Sequence, residues 1–211
     1  MNAMTWHVPA RIETERLVLR RYEAADAEAL AATVARNIDH LARYMEWIAF
    51  EPQSVEQRRA WIEDVNAQAE AGTEFVLGMF DHAGTLVGGT GFHVGTDPER
   101  LMIGYWIDAA HQGAGLVTEA SAALARVALE LAGAAIVDIS HAASNARSAA
   151  VPARLGFTRR ETCGEACFDG GTKEPGVTWW ATREALASGP LASTPRPAAF
   201  DADGAERAWP A

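Results

Sequence analysis

Two glycines separated by one residue, Gly113 and Gly115, stand in the run I-G-Y-W-I-D-A-A-H-Q-G-A-G-L-V-T-E-A over residues 103–120. The chemistry this spacing permits is anion binding. Glycine lets an anion approach the backbone closely and lets a loop take unusual dihedrals. The first turn of a helix carries N–H groups without intrahelical partners, and the helix dipole adds partial positive charge there. A strand ending near Asp108, a short glycine loop and a helix starting near Leu116 would therefore form a phosphate cradle. The same spacing also serves a plain strand-to-helix turn. The P-loop pattern and the dinucleotide fingerprint are both absent.

Other side chains could handle protons or cations. His93 has the intrinsic pKa of a general base, and it equally suits a strand histidine satisfied by a neighbour. Glu46 sits among Tyr44, Trp47 and Phe50. That cluster could hold an ammonium through charge and cation–π contact, or simply pack the domain. Glu119 reads as an early-helix acid stabilised by the dipole. Asn145 is a natural N-cap, and Ser148 three residues on can bond back to the backbone. Cys163 and Cys167 stand in C-G-E-A-C, which is not structural-zinc spacing, and no second pair completes four ligands. They read as reduced thiols, and no metal is expected.

The elements that must position these residues follow from periodicity. Residues 1–15 read as a loose lead-in and Leu17 to Tyr22 as a first strand. Asp26 to Ala35 reads as an alanine-rich helix capped by Asp26. Ser54 to Ala71 reads as a second helix, with Ser54 and Gln57 as a capping box and Gly72 as its stop. Glu74 to Phe80, Leu86 to Val94 and Leu101 to Asp108 read as three strands, antiparallel because their links are hairpin-length. Leu116, Ala120, Leu124, Val127 and Leu131 form a helix stripe. Ala135 to Ser140 is a buried-looking strand, Asn145 to Leu155 a short helix ended by Gly156, and Phe157 to Thr162 and Val177 to Arg183 the last strands. Alternating periods in the second half indicate α/β packing. The Pro-, Ala- and Gly-rich residues 188–211 read as a flexible tail after a domain over 16–187.

Gln112 to Val117 resembles the acetyl-CoA signature [QR]-x-x-G-x-[GA] of the GNAT N-acetyltransferase superfamily. The flanking I-G-Y-W-I-D and T-E-A look like the RimJ/RimL branch of ribosomal-protein N-terminal acetyltransferases. Thirty residues on, Asn145 to Phe157 is similar to that family's N-x-x-S-x-x-[VL]-x-x-x-L-G-F segment. E-R-L-V-L-R, Y-M-E-W-I and G-G-T-G-F-H also fit, so the resemblance spans roughly residues 11–184. It implies a mixed, mostly antiparallel α/β sheet of about seven strands, splayed in the middle and flanked by about four helices. It implies acetyl-CoA as cosubstrate, with Ile107, Gln112, Gly113, Ala114, Gly115, Leu116, Val117, Thr118 and Asn145 on the cofactor. It also implies Ser148 near the thioester sulfur, able to protonate the departing thiolate. A backbone N–H near the end of the Trp106–Asp108 strand would polarise the thioester oxygen.

Three departures from the pattern carry consequences. Val117 stands where Gly or Ala is expected, and Ala114 where a basic residue is frequent. Pro152 lies inside the short helix, where it removes an N–H and crowds the carbonyl of Ser148 at roughly 3 kcal/mol. A kink displacing Ser148 is the expectation. Met102 occupies the position where many relatives carry a glutamate base, leaving Glu46, His93 and Glu119 as alternatives. The acceptor is an amine: a protein α-amine by the RimJ/RimL resemblance, or a small amine such as an antibiotic, polyamine or amino acid. A module that holds acyl-CoA without turnover is the non-enzymatic alternative. A homodimer is usual for look-alikes.

Twenty-eight acidic against eighteen basic residues give a formal charge of −10, which disfavours nucleic acid as a partner. No apolar run spans a membrane and no signal-peptide core fits the charged first twenty residues, so the cytoplasm is the expected compartment.

Overall fold

Alternating apolar residues build one sheet from nearly the whole chain. The computed structural model describes residues 6–169 and 172–210, with side chains described outside 161–173. The strands are β1 (Arg11–Glu13), β2 (Leu17–Arg20), β3 (Glu74–Asp81), β4 (Leu86–Val94), β5 (Arg100–Ile107), β6 (Ile136–Ala142), β7 (Thr158–Asp169), β8 (Thr172–Thr182) and β9 (Ala198–Phe200). Their order is β7-β8-β6-β5-β4-β3-β2-β1-β9. Every neighbouring pair is antiparallel except β5–β6.

The helices are α1 (Ala27–Ala35), α2 (Ile38–Leu41), α3 (Val55–Ala71), α4 (Leu116–Arg126) and α5 (Ala146–Arg154). Leu101 and Ile103 of β5 point into a core with Leu124, Val137, Ile139 and Val151, on the α4–α5 side. Trp106 points the other way, into a core with Tyr22, Leu30, Val34 and Ile62 on the α1–α3 side. The single parallel pair is also the shortest central one. Its register holds only from Arg100↔Ile136 to Met102↔Asp138, although β5 runs on to Ile107 and β6 to Ala142. Beyond that point the two strands part, as expected of the splayed sheet.

The mixed, mostly antiparallel α/β fold is as expected, with nine strands and five helices among the described residues in place of about seven and four. The capping box of Ser54 and Gln57 and the left-handed stop at Gly72 are present on α3. Asp26, by contrast, does not cap α1. Its carboxylate accepts from the Glu23 amide and from the Arg20 guanidinium, closing the turn before the helix.

The two chain ends differ most from expectation. Residues 11–13, inside the predicted lead-in, form β1. Residues 188–211, predicted as a flexible tail, carry a 3-10 turn (Leu191–Ser193) and β9, which pairs with β1. Leu191 and Ala199 are fully buried. Three-residue strands are too short to show a period, and their stability comes from neighbours that the local sequence does not reveal. Among the described residues no helix is long and apolar enough to cross a membrane.

Candidate active site

The glycine loop is built as an anion site. Gly113 and Gly115 have φ of 77° and 79°, and Gly115 is the N-cap of α4. No side chain caps this helix, so its first amides are left for a ligand. Arg16, just before β2, braces the loop: its Nη1 donates to the Ala114 carbonyl at 2.8 Å. In a trans peptide the N–H points opposite the C=O, so drawing the Ala114 carbonyl toward Arg16 turns the Gly115 N–H away from it. Glu119 holds Arg16 in place, accepting from its Nε at 2.6 Å, from its backbone N–H at 2.9 Å and from the Thr14 hydroxyl at 2.6 Å. Burial alone would raise the Glu119 carboxyl, yet these donors hold it below its ordinary value. It is a brace for the loop, and the general-base alternative for Glu119 is set aside. Replacing Arg16 with Met should weaken acetyl-CoA binding by ~5–10-fold, about one charge-assisted bond to the loop. Calorimetric titration measures it; an unchanged Kd would remove Arg16 from the loop's design.

Upstream, Asp108 anchors the loop to α1. Its buried carboxylate accepts from Arg36 Nη2 at 2.6 Å, Asn37 Nδ2 at 2.9 Å and the Ala110 amide at 3.2 Å. Asn37 Oδ1 accepts in turn from the Ala109 amide at 2.9 Å. Burial opposes the charge, but Arg36 and Asn37 outweigh it and hold the carboxyl at about 2. A depressed carboxylate stabilises the fold above its unfolded pKa near 3.9, and that contribution is lost as pH falls toward 2. Asp108→Asn should therefore cost ~1–3 kcal/mol at pH 7, from the unpaired donors left behind. It should also flatten the acid-unfolding curve between about pH 4 and 2, followed by circular dichroism. The Asp108 N–H is itself engaged by the Val87 carbonyl at 2.9 Å, so this amide is not the one that polarises a thioester oxygen.

A cleft of about 1790 Å³ opens from the loop. Ile107, Gln112, Gly113, Ala114, Gly115, Leu116, Val117, Thr118, Asn145 and Ser148 all line it, as does Tyr44. Gln112 links two other lining residues, donating to His40 Nε2 at 2.6 Å and accepting from Arg147 at 2.8 Å. Asn145 is the N-cap of α5, its Oδ1 accepting from the Ser148 amide at 3.0 Å, and it borders the cleft as well, so its two sequence readings coexist.

Pro152 does not break α5, which runs unbroken from Ala146 to Arg154. The carbonyl that Pro152 deprives of its helical donor finds another. The Tyr105 hydroxyl, from the splayed part of β5, lies 3.2 Å from the Ser148 carbonyl and 2.8 Å from Ser148 Oγ. Burial raises the Tyr105 phenol to about 12, so it stays protonated at neutral pH. The sequence names Tyr105 only as a letter of I-G-Y-W; nothing local pairs it with a serine 43 positions on.

Four predicted residues lie outside the cleft lining. Glu46 is exposed at the start of a 3-10 turn, and Phe50, at its end, is 75 % exposed. Trp47 packs edge-on against Trp106 in the α1–α3 core. Tyr44 reaches the cleft alone of the aromatic cluster, with the Arg43 guanidinium 5.0 Å from its ring centre. His93 sits on the sheet face opposite Tyr105. Its Nδ1 pairs with Glu74, and a Cβ placed on Gly104 would collide with its Nε2. Gly104 is thus the residue that admits the imidazole against β5, one position before Tyr105. The Glu74 bond raises the His93 pKa above its ordinary value, outweighing the opposing effect of burial on a ring that is half exposed. The side chains of Cys163 and Cys167 lie outside the described residues. Among those described, no group of three or more metal-binding side chains occurs.

Residues 16–158 match the family described as "Acetyltransferase (GNAT) domain". The chain belongs to the GNAT acetyltransferase family. It is therefore an acetyltransferase with acetyl-CoA as donor, and its glycine loop, uncapped α4 and splayed β5–β6 pair fit that donor. The chain is 31% identical over 145 residues to the "Putative ribosomal N-acetyltransferase YdaF" of Bacillus subtilis (strain 168), covering 68% of this chain and 78% of the relative. A crystal structure of a "Probable acetyltransferase" superposes with a TM-score of 0.74 at 27% identity, covering 81% and 95% of the two chains. A RimL, the ribosomal L7/L12 α-N-protein acetyltransferase in complex with coenzyme A, shares the fold with a TM-score of 0.74. Its identity is 21%, over 81% of this chain and 97% of that one.

Proposed function

We propose that this GNAT enzyme is cytoplasmic and acetylates the N-terminal α-amine of a protein, in the manner of ribosomal-protein N-acetyltransferases. The observation that carries the reading is the Tyr105–Ser148 pair at the splay of β5, lining the same cleft as the uncapped start of α4. The Bacillus subtilis relative supports the acceptor class.

Acetyl-CoA supplies an activated acyl carbon: the amine nitrogen bonds to it as the C–S bond breaks and a thiolate leaves. The amides of Gln112 to Thr118 hold the pyrophosphate, with Arg16 orienting the loop. The Tyr105 hydroxyl shares its one proton between the Ser148 carbonyl and Ser148 Oγ, which leaves the serine proton free to meet the departing sulfur. On the opposite face of β5, His93 takes the proton that the amine gives up, its Nδ1 held by Glu74 and its ring lodged beside Gly104. Direct attack requires no acyl-enzyme.

The acceptor preference follows from proton cost. An α-amine with a pKa of roughly 7.7–8.0 becomes neutral at pH 7 for about 1.2 kcal/mol, and a lysine near 10.4 for about 4.6. A single histidine base suits the first. The test is CoA thiol release from acetyl-CoA with a panel of acceptors: peptides with free α-amines, N-blocked lysine peptides, polyamines and amino acids. Release dependent on α-amine peptides supports the proposal. Release with small amines alone overturns the acceptor class, and calorimetry showing no acetyl-CoA binding overturns the reading of the loop.

A further inference from the structure

Beyond the glycine loop the cleft has two further groups of lining residues. Tyr105 and Ser148 line it together with Leu41 and Tyr44. Ala122 and Ala123 of α4, Ala150, Val151 and Arg154 of α5, and the segment Thr194–Ala198 line it as well. That last segment lies outside the matched family region of 16–158. It is nevertheless fixed in place. Arg126, buried at the end of α4, donates to Thr194 Oγ1 at 3.0 Å and to the carbonyls of Leu191 and Ala192 at 3.1 and 3.0 Å. Its Nη1 reaches Glu130 at 2.9 Å, and Arg196 binds the other oxygen of that carboxylate at 2.7 Å. Downstream, β9 pairs with β1, and Trp209 Nε1 donates to the Pro197 carbonyl at 2.9 Å.

We infer that Thr194–Ala198 is a strap closing the donor site, and that Arg154 and Arg196 hold the 3′-phosphate on the adenosine end of coenzyme A. The inference rests on the proposed donor reading. A ligand gripped at its pyrophosphate by the start of α4 extends both ways. Its thioester must lie where β5 splays and Ser148 stands. Its adenosine, a flat purine with a doubly charged phosphate, is then left for the lining formed by α4, α5 and Thr194–Ala198. There Pro195 and Pro197 offer apolar surface. Two guanidiniums, Arg126 and Arg196, share the single carboxylate of Glu130, leaving an excess positive charge. Arg154 borders the cleft on the α5 side, with no ion pair among the described residues. Four acids border the cleft as well: Glu13, which Arg11 pairs at 3.0 Å, Glu119, which Arg16 pairs at 2.6 Å, and Glu15 and Asp39.

The experiment titrates the full chain by calorimetry with coenzyme A, with dephospho-coenzyme A, which lacks only the 3′-phosphate, and with 4′-phosphopantetheine, which lacks the adenosine. Wild type should bind coenzyme A ~10-fold more tightly than the dephospho form, as charge-assisted contacts to a phosphate suggest. Arg154→Gln with Arg196→Gln should abolish that preference and leave dephospho-coenzyme A and phosphopantetheine within about two-fold of wild type. Arg196→Lys, which keeps the charge, should keep part of the preference. Thermal melting of each variant checks the fold, and the single variants replace the double one if it melts early. Unchanged discrimination in folded variants, or an equal loss for all three ligands, overturns the inference while leaving the donor reading standing. Failure of wild type to bind any of the three overturns the donor reading itself.

Discussion

Ser148→Ala is expected to lower kcat by ~10²-fold, the lower end of what a positioned proton donor contributes, with acetyl-CoA affinity nearly unchanged. The affinity is spared because the loop amides and Arg16 hold the donor elsewhere. The turnover falls because Ser148 Oγ is the hydroxyl that Tyr105 orients at 2.8 Å. Tyr105→Phe should cost about ten-fold, since the serine keeps its proton but loses its fixed rotamer. The double variant should be no slower than Ser148→Ala alone, because the two hydroxyls act as one unit and coupled residues are not additive. Stopped-turnover assays on the four proteins measure this. Independent, multiplicative losses would show that Tyr105 does not act through Ser148.

Pro152 supplies a second reading of the same pair. Its missing N–H leaves the Ser148 carbonyl to the Tyr105 hydroxyl, at 3.2 Å. Pro152→Ala restores the helical donor, so Tyr105→Phe should destabilise that background less than it destabilises wild type. The proline that a sequence reader takes for a defect is thus compensated by a contact from the neighbouring strand.

The contrast between legible and hidden features follows from sequence separation. The glycine loop, the α3 capping box and the Asn145 cap are made within a few residues, so local rules expose them. Arg16 and Glu119 meet across 103 positions, and Arg126 meets Thr194 across 68. No periodicity encodes those meetings. His93 and Glu74 are an intermediate case, since a hairpin fixes its own register. Counting back from Phe80↔Leu86 would put His93 opposite Thr73. The bulge between Met79 and Phe80 adds one residue to β4 and brings His93 opposite Glu74 instead. A one-residue slip reverses the facing of every side chain, so the bulge decides whether the imidazole meets a carboxylate. The aromatic run at 44–50 misled for another reason: Trp47 found a partner in Trp106, and an apolar pattern does not distinguish a core from a pocket.

The His93–Glu74 pair carries the remaining large expectation. His93→Gln should lower kcat/KM for an α-amine acceptor by ~10²-fold near neutral pH. The pH profile distinguishes a base from a structural histidine. A base works when unprotonated, so activity rises as pH passes through its pKa. Glu74 raises that pKa, so wild type should show its acid limb above pH 6.5, the ordinary histidine value. Glu74→Gln removes the carboxylate that favours the imidazolium, and the limb should move to lower pH. At pH 6 that variant would hold a larger unprotonated fraction than wild type, and its relative deficit would be smallest there. A limb that stays in place in Glu74→Gln would exclude His93 as the group that titrates. The direction of the shift carries the weight, because a folding defect lowers the whole profile without moving its midpoint.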